Sequence, residues 1–209
     1  VTTTGATRVY RQRGAGLAAI QHTAFSIARG GLLEYLPDPL IPYADANYKQ
    51  HTEFELADDA GLFAWDVITP GREARNECFA YDRLELETRV TVAGAPIAWE
   101  KMALLPSSQM LNSSVRLGNY RTFATLLVCR AGQPAAVWLA LEDELAQLAT
   151  TFTVPGEALW GVSRLVADGL VIRGLAREGR LLTETLPAFW RAAKQSLYGL
   201  PAVMPRKIY

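Results

Sequence analysis

The sequence predicts a mainly β fold with two α-helices toward the C-terminus. Between about residues 7 and 128, apolar and polar residues alternate with the two-residue period of strands. Turn signals rich in Gly and Pro divide this region into short segments. Apolar stripes with helical spacing occur only in the last third of the chain. The 209 residues contain no internal repeat or low-complexity segment, so a single domain over residues 1–209 is expected.

Three segments show the strand patterns most clearly. Residues 48–56 alternate regularly, and the face expected to contact water carries Lys49, His51, Glu53 and Glu55. Residues 62–68 form a nearly continuous apolar run, which is typical of a strand covered on both faces. Residues 83–105 alternate on either side of a turn signal at 93–96, and this pattern predicts a hairpin.

The C-terminal part predicts two helices and a strand pair between them. The first stripe consists of Val137, Leu141, Leu145 and Leu148. The second consists of Leu182, Leu186, Phe189, Ala193 and Leu197. Gly199 is a suitable C-terminal stop, whereas Pro187 predicts a kink or a helix that begins after the stripe does. Residues 159–166 and 170–175 are predicted to pair through a turn at Asp168-Gly169.

Composition and charge exclude several classes of partner and site. Lys plus Arg and Asp plus Glu both number 21, which predicts no binding to nucleic acid or to an anionic membrane surface. Two cysteines far apart fit a reducing compartment, and no apolar stretch is long enough to span a bilayer. We therefore expect a soluble, cytoplasmic protein. The chain starts at Val1, directly on a β-branched run, which indicates that its natural beginning is missing.

Recognisable catalytic or metal-binding motifs are absent from the sequence. There is no phosphate-binding Gly-rich loop, no Gly-x-Ser-x-Gly elbow, no His-Glu-x-x-His and no Cys-x-x-Cys. His51 is predicted on the wet face of its strand. For His22, which alternates with Ile20 and Ala24, a core position is favoured over the alternative of a metal ligand. With only two histidines, one copy of the chain cannot form a histidine-rich metal site, and no stably bound cofactor is expected.

Two acids occupy positions that are expected to be buried. Asp66 interrupts the apolar run at 62–68, and Glu100 shares a strand face with apolar residues. A buried carboxylate is costly unless it is paired, so each needs a partner or a hydrated cavity. Arg72 and Lys101 are candidate partners; the alternative is that both acids line a cavity that holds water and a cation. Each acid also follows a tryptophan, and a glycoside hydrolase would need such a carboxyl pair roughly 5–10 Å apart.

Five segments in order along the chain resemble the urease accessory protein D family, named H in some species. They are residues 1–3 with 6–11; residues 33–39; residues 62–66 followed by Gly71-Arg72 and Glu77-x-Phe79; residues 99–101; and residues 189–191 with Leu200-Pro201 and Pro205-Arg206. Asn76 replaces a glycine usual in the family, Pro187 interrupts the last helix, and the family's earlier strands with a Gly-Gly-Asp segment are absent.

The resemblance implies a β-helix-like or sandwich-like scaffold without catalytic activity. Members of that family bind apo-urease on one side and accessory protein F on the other, and F recruits the nickel-carrying GTPase, accessory protein G. Nickel is expected to pass through an internal tunnel, and the lining positions carried over by resemblance are Thr7, Asp66 and Glu100. Arg72 and Glu77 are further positions of the family motif.

Elementary coordination chemistry is compatible with nickel in transit rather than at a stable site. Nickel is held firmly by imidazole or thiolate, whereas a conduit has to release it. Isolated carboxylates, a hydroxyl and water would give an exchangeable path. Two alternatives remain open from the sequence: a purely structural adaptor without nickel contact, and a glycoside hydrolase that uses Asp66 and Glu100.

Overall fold

The computed structural model describes residues 1–11 and 17–204, which form two facing β-sheets and a layer of two helices. The strands are β1 (Thr7–Val9), β2 (Ala19–Ile27), β3 (Leu32–Tyr35), β4 (Leu40–Pro42), β5 (Asn47–Leu56), β6 (Gly61–Ile68), β7 (Arg83–Val92), β8 (Ala95–Leu104), β9 (Thr122–Arg130), β10 (Ala158–Arg164) and β11 (Gly169–Ala176). The helices are α1 (Ala135–Phe152) and α2 (Gly179–Tyr198), and a short 3₁₀ helix spans Glu73–Arg75.

The large sheet has seven strands in the order β1-β4-β6-β9-β11-β10, and β3 also pairs with β6. The pairs β1–β4, β4–β6 and β3–β6 are parallel. The pairs β6–β9, β9–β11 and β11–β10 are antiparallel. The small sheet has the order β2-β5-β7-β8, with the first three strands parallel and the last pair a hairpin. Between β2 and β7 the chain passes repeatedly from one sheet to the other, so the expected β-helix-like, sandwich-like and mainly β architecture is confirmed.

Strand β6 lies between two cores and explains why its sequence is apolar on both faces. Phe63, Trp65 and Val67 pack toward the helices, in the core that includes Leu186 and Phe189 of α2. The alternate residues of β6 face the small sheet, where two further apolar clusters fill the space between the sheets. Asp66 belongs to this second set, so its carboxyl lies between the sheets.

The strand predictions are confirmed, and the helix predictions are confirmed with one correction. Helix α2 buries its predicted stripe and ends at Gly199, whose φ is +62°. It begins at Gly179 and continues through Pro187, so the later start that this proline allowed is wrong. Pro187 is itself buried, and packing of the stripe against the large sheet compensates for the hydrogen bond that proline removes. None of the helices in the described part of the chain is long and apolar enough to cross a membrane.

A partly buried ion pair joins the large sheet to α2. Glu34 of β3 accepts hydrogen bonds from Nζ of Lys194 at 2.8 Å and from Nε1 of Trp190 at 2.7 Å. Lys194 is only 9% exposed, so these contacts satisfy a charge that burial would otherwise penalise. The hydrogen bond from Trp190 to Glu34 places part of the 189–191 segment against part of the 33–39 segment. The Pro205-Arg206 end of the last segment lies outside the described residues.

The expected core position of His22 is wrong. β2 turns Gln21, Thr23 and Phe25 toward the large sheet, so His22 is exposed on the outer face of the small sheet. There it lies opposite His51, with ring centroids 6.5 Å apart, and its Nε2 is 3.7 Å from Glu53. Alternation in the sequence gives two sets of residues, and for an edge strand it does not tell which of them is buried.

Candidate functional site

A cavity of about 240 Å³ lies between the two sheets and contains both of the acids predicted from the sequence. Its volume accommodates several water molecules. The large sheet contributes side chains from β3, β6, β9 and β11, and the small sheet contributes side chains from β5, β7 and β8. The polar or charged lining residues are Tyr35, Asp66, Thr88, Glu100, Lys101, Thr125 and Arg173.

Asp66 points into this cavity from the middle of the large sheet. Its Oδ1 accepts a long hydrogen bond, 3.5 Å, from Nε2 of Gln50 on β5. Burial raises the pKa of Asp66 to about 7; the Gln50 hydrogen bond opposes the shift, and the negative charge of Glu100 adds to it. Near neutral pH both the protonated and the ionised form of this carboxyl are therefore populated.

Glu100 reaches the same cavity from β8, the edge strand of the small sheet. Its carboxylate forms an ion pair with the guanidinium of Arg173 on β11, and its side chain is 27% exposed. The candidate partners Arg72 and Lys101 are wrong. Lys101 follows Glu100 on the strand, so its ammonium reaches the outer face of the sheet, 3.3 Å from Glu87. Arg72 lies beyond the end of β6 and binds Glu77.

A line of hydrogen bonds leads from Asp66 toward the opposite edge of the small sheet. Gln50 accepts from the hydroxyl of Tyr48 at 3.3 Å, and that hydroxyl lies 3.0 Å from Oε1 of Gln21 on β2. Tyr48 and Gln50 belong to the inward face of β5, which also carries Thr52, Phe54 and Leu56. The sequence signal that could have revealed these hydrogen bonds is Gln50, which alternates with the charged positions of residues 48–56 and therefore lies on the inward face.

Sequence analysis also missed Thr125 and Arg173. Asp66 is the registered neighbour of Thr125 on β9, and Thr125 is the registered neighbour of Arg173 on β11. The three side chains therefore form one row across the large sheet on the face toward the small sheet. An arginine within the apolar run at 170–175 was a visible signal of this row.

Thr7 is not brought together with the two acids. It begins β1, where it is registered with Leu40, and its N–H donates to the carbonyl of Pro39 at 3.0 Å. Strands β4, β6 and β9 follow β1 in the sheet order, and Thr7 is not among the described residues that line the cavity. Its role in a nickel path stays a prediction from resemblance.

Arg72 and Glu77 form a clamp that organises the loop after β6. Glu77 accepts hydrogen bonds from the Arg72 guanidinium and, at 3.2 Å, from the N–H of Ala44. The guanidinium carbon also lies 4.0 Å from the ring centroid of Tyr43. Hydrogen bonding to Arg72 lowers the pKa of Glu77. Gly71 has φ +139°, and a Cβ there would come 2.5 Å from the Glu77 carbonyl oxygen, so the clamp also requires this glycine.

The donor atoms at the cavity suit weak rather than firm metal binding. Within residues 1–11 and 17–204, no group of three or more His, Cys, Asp or Glu side chains is placed to hold a metal ion. Asp66 and Glu100 are accompanied instead by hydroxyl oxygens, such as those of Thr88 and Thr125. Carboxylate and neutral oxygen donors bind divalent transition metals less firmly than imidazole or thiolate does, so an ion here would exchange.

Comparison with known proteins places this architecture in a family. The family model described as UreD urease accessory protein matches residues 1–208. A urease accessory protein UreD of Herpetosiphon aurantiacus is 46% identical over 209 residues, which is 100% of this chain and 72% of the relative. Proteins of the same name from Opitutus terrae and Pseudomonas fluorescens are each 31% identical, over 100% and 99% of this chain and 73% and 68% of the relatives.

The relatives bear on the alternatives that the sequence left open. All three are named as accessory proteins, so the glycoside hydrolase alternative finds no support, although both of its acids share one cavity. The match extends over nearly the whole chain, including both sheets and both helices. The chain belongs to the UreD urease accessory protein family.

Proposed function

We propose that this protein acts in urease maturation as a non-catalytic scaffold and nickel conduit in the cytoplasm. In this proposal it links accessory protein F, and through F the nickel GTPase G, to apo-urease. Nickel ions pass between the two sheets and are the cargo rather than a resident cofactor. The observation that carries the proposal is that Asp66 and Glu100 line one cavity between the sheets, where the described residues form no strong ligand set.

The two acids suit a conduit because each can release a cation. Asp66, with its pKa raised to about 7, is readily reprotonated after an ion leaves. The guanidinium of Arg173 pairs with Glu100 and can replace the ion there. The remaining lining offers hydroxyl groups, such as those of Thr88 and Thr125, which support water without fixing a metal.

The test is to substitute the two acids and measure nickel in urease. Asp66→Asn and Glu100→Gln remove the charges with little change of shape, so we expect urease to assemble with the accessory proteins but to contain less nickel. Metal content by atomic spectroscopy and co-purification of the complex are the two readouts. Glu142→Gln is the matched control, because Glu142 is also 27% exposed and also pairs with an arginine, Arg164, away from the cavity.

The same experiment separates a conduit from a structural adaptor. An adaptor would lose urease activation only in variants that fold less well or no longer bind their partners. A conduit loses nickel delivery while stability and co-purification are retained. Full nickel loading with both acid variants would contradict the conduit.

A further inference from the structure

The guanidinium of Arg173 lies at the opening of the cavity, beside Glu100. Asp66 and Glu100 are called the acid pair below. Arg173 projects from β11 of the large sheet and meets Glu100 on the edge strand of the small sheet, so their ion pair bridges the opening between the sheets. Arg173 is 59% exposed, whereas Glu100 is 27% exposed. The arginine therefore lies on the solvent side of the pair and the carboxylate on the cavity side.

The register of the large sheet brings Arg173 close to Asp66 as well. Asp66, Thr125 and Arg173 are neighbours on three adjacent strands. At about 4.8 Å per strand, the backbones of Asp66 and Arg173 are about 10 Å apart. Lys101 also lines the cavity, but its ammonium contacts Glu87 on the outer face. Among the described lining residues, Arg173 is the cationic side chain that contacts Glu100.

A guanidinium beside the acid pair opposes a second cation. Its charge leaves the site only when the side chain moves. An ion pair with a largely exposed arginine has a small net stability, because solvent screens it. Arg173 can therefore swing toward solvent at little cost when another cation takes the carboxylate.

We propose that Arg173 is an exchangeable counter-cation that sets how strongly the acid pair holds a divalent metal ion. It neutralises Glu100 while the passage is empty, yields that carboxylate to the arriving ion, and returns to expel it. This inference rests on the proposed conduit, and it assigns to Arg173 the displacement of the ion from Glu100. A purely structural ion pair would show none of this dependence on metal.

The chain contains a matched pair for comparison. Arg164 of β10 binds Glu142 of α1, with side-chain exposures of 48% and 27%. This pair resembles Arg173–Glu100 in chemistry and exposure, but neither residue lines the cavity. Arg164→Gln thus removes an equivalent charge from an equivalent ion pair at a site that should not influence metal binding.

The test is a nickel titration of the purified chain in competition with a chromophoric chelator. Arg173→Gln should tighten Ni²⁺ binding about tenfold, the change expected when one positive charge about 6 Å from a divalent ion is lost in a water-like dielectric. Arg164→Gln should bind as the wild type does. Arg173→Lys, which keeps the charge, should stay close to the wild-type affinity, and it serves as a second variant if the glutamine variant folds poorly.

The double variant Arg173→Gln with Glu100→Gln decides whether the gain comes through the acid pair. We expect it to lose the tighter binding. Equal affinity of the wild type and Arg173→Gln, or a gain that survives in the double variant, would overturn the role of Arg173. Such a failure is distinct from failure of the conduit, which is judged by nickel delivery to urease in the Asp66→Asn and Glu100→Gln variants.

Discussion

Replacing Asp66 by asparagine should stabilise the fold even though it should impair nickel delivery. The asparagine keeps the shape of the side chain and its place beside Gln50, but it cannot ionise. Burial raises the pKa of Asp66 from 3.8 to about 7, so the folded chain pays for ionisation that the unfolded chain does not. At about 1.4 kcal/mol per pH unit, this difference corresponds to about 4 kcal/mol. The residue is half-buried, so this value is an upper limit.

The size of this stability difference depends on pH in a defined way. Below about pH 4 the carboxyl is protonated in both the folded and the unfolded chain, so residue 66 should not distinguish the variant from the wild type. Between about pH 4 and 7 the unfolded chain loses the proton that the folded chain retains, and the wild type becomes progressively less stable than Asp66→Asn. Above pH 7 the difference should reach its plateau. The charged or titratable groups that share this environment are Glu100, Tyr35, Tyr48 and Arg173.

Urea unfolding of both proteins from pH 4 to 8.5 measures this difference directly. Asp143→Asn on the exposed face of α1 is the control, and a surface change of this kind is expected to alter the free energy of unfolding by less than about 0.5 kcal/mol. If Asp66→Asn is less stable than the wild type at pH 8, or if the difference does not grow with pH, the carboxyl is not desolvated as the structure indicates.

Three further changes test the packing around the cavity and its supporting layers. Lys194→Met leaves Glu34 without its ammonium partner and should lower the free energy of unfolding by about 2–3 kcal/mol in urea titrations; an unchanged midpoint would show that the pair contributes nothing. Thr52→Val removes a buried hydroxyl that has no hydrogen-bond partner among the described residues, and it should raise the melting temperature through a gain of about 1 kcal/mol. Gly174→Ala places a Cβ 2.6 Å from the Trp160 ring, so calorimetry should show a loss of about 1–3 kcal/mol, and a stability equal to the wild type would contradict this close packing.

Local periodicity predicted the elements well because each element has a face with one dominant environment. β5 and β6 have the strand patterns expected of one wet face and of two covered faces, and α2 buries its predicted stripe. These local patterns do not indicate which distant strand packs against a given strand face. The partner of Glu100 is therefore Arg173, 73 residues further along the chain, rather than a residue nearby in sequence.

Sequence reasoning also located both cavity acids but not the cavity itself. Asp66 and Glu100 were visible because a carboxylate in an apolar pattern is costly. Gln50 and Thr125 were not singled out, because an uncharged polar residue is tolerated on either face of a strand. Only the opposition of the two sheets shows that these residues face the same space. His22 shows the same limit. The residues of its strand alternate clearly, but the sequence does not indicate which of the two faces is buried.

The winding of the chain between the sheets has a consequence for how the molecule reaches its native state. β2, β5 and β7 are neighbours in space, yet each is separated from the next by strands of the other sheet. Apart from the β7–β8 and β10–β11 hairpins, most strand pairs join segments that are not consecutive, so folding requires many contacts of high sequence separation and should be slow. The cavity between the sheets would then exist only in molecules that have completed folding, and a metal path of the kind proposed above would be absent from immature chains.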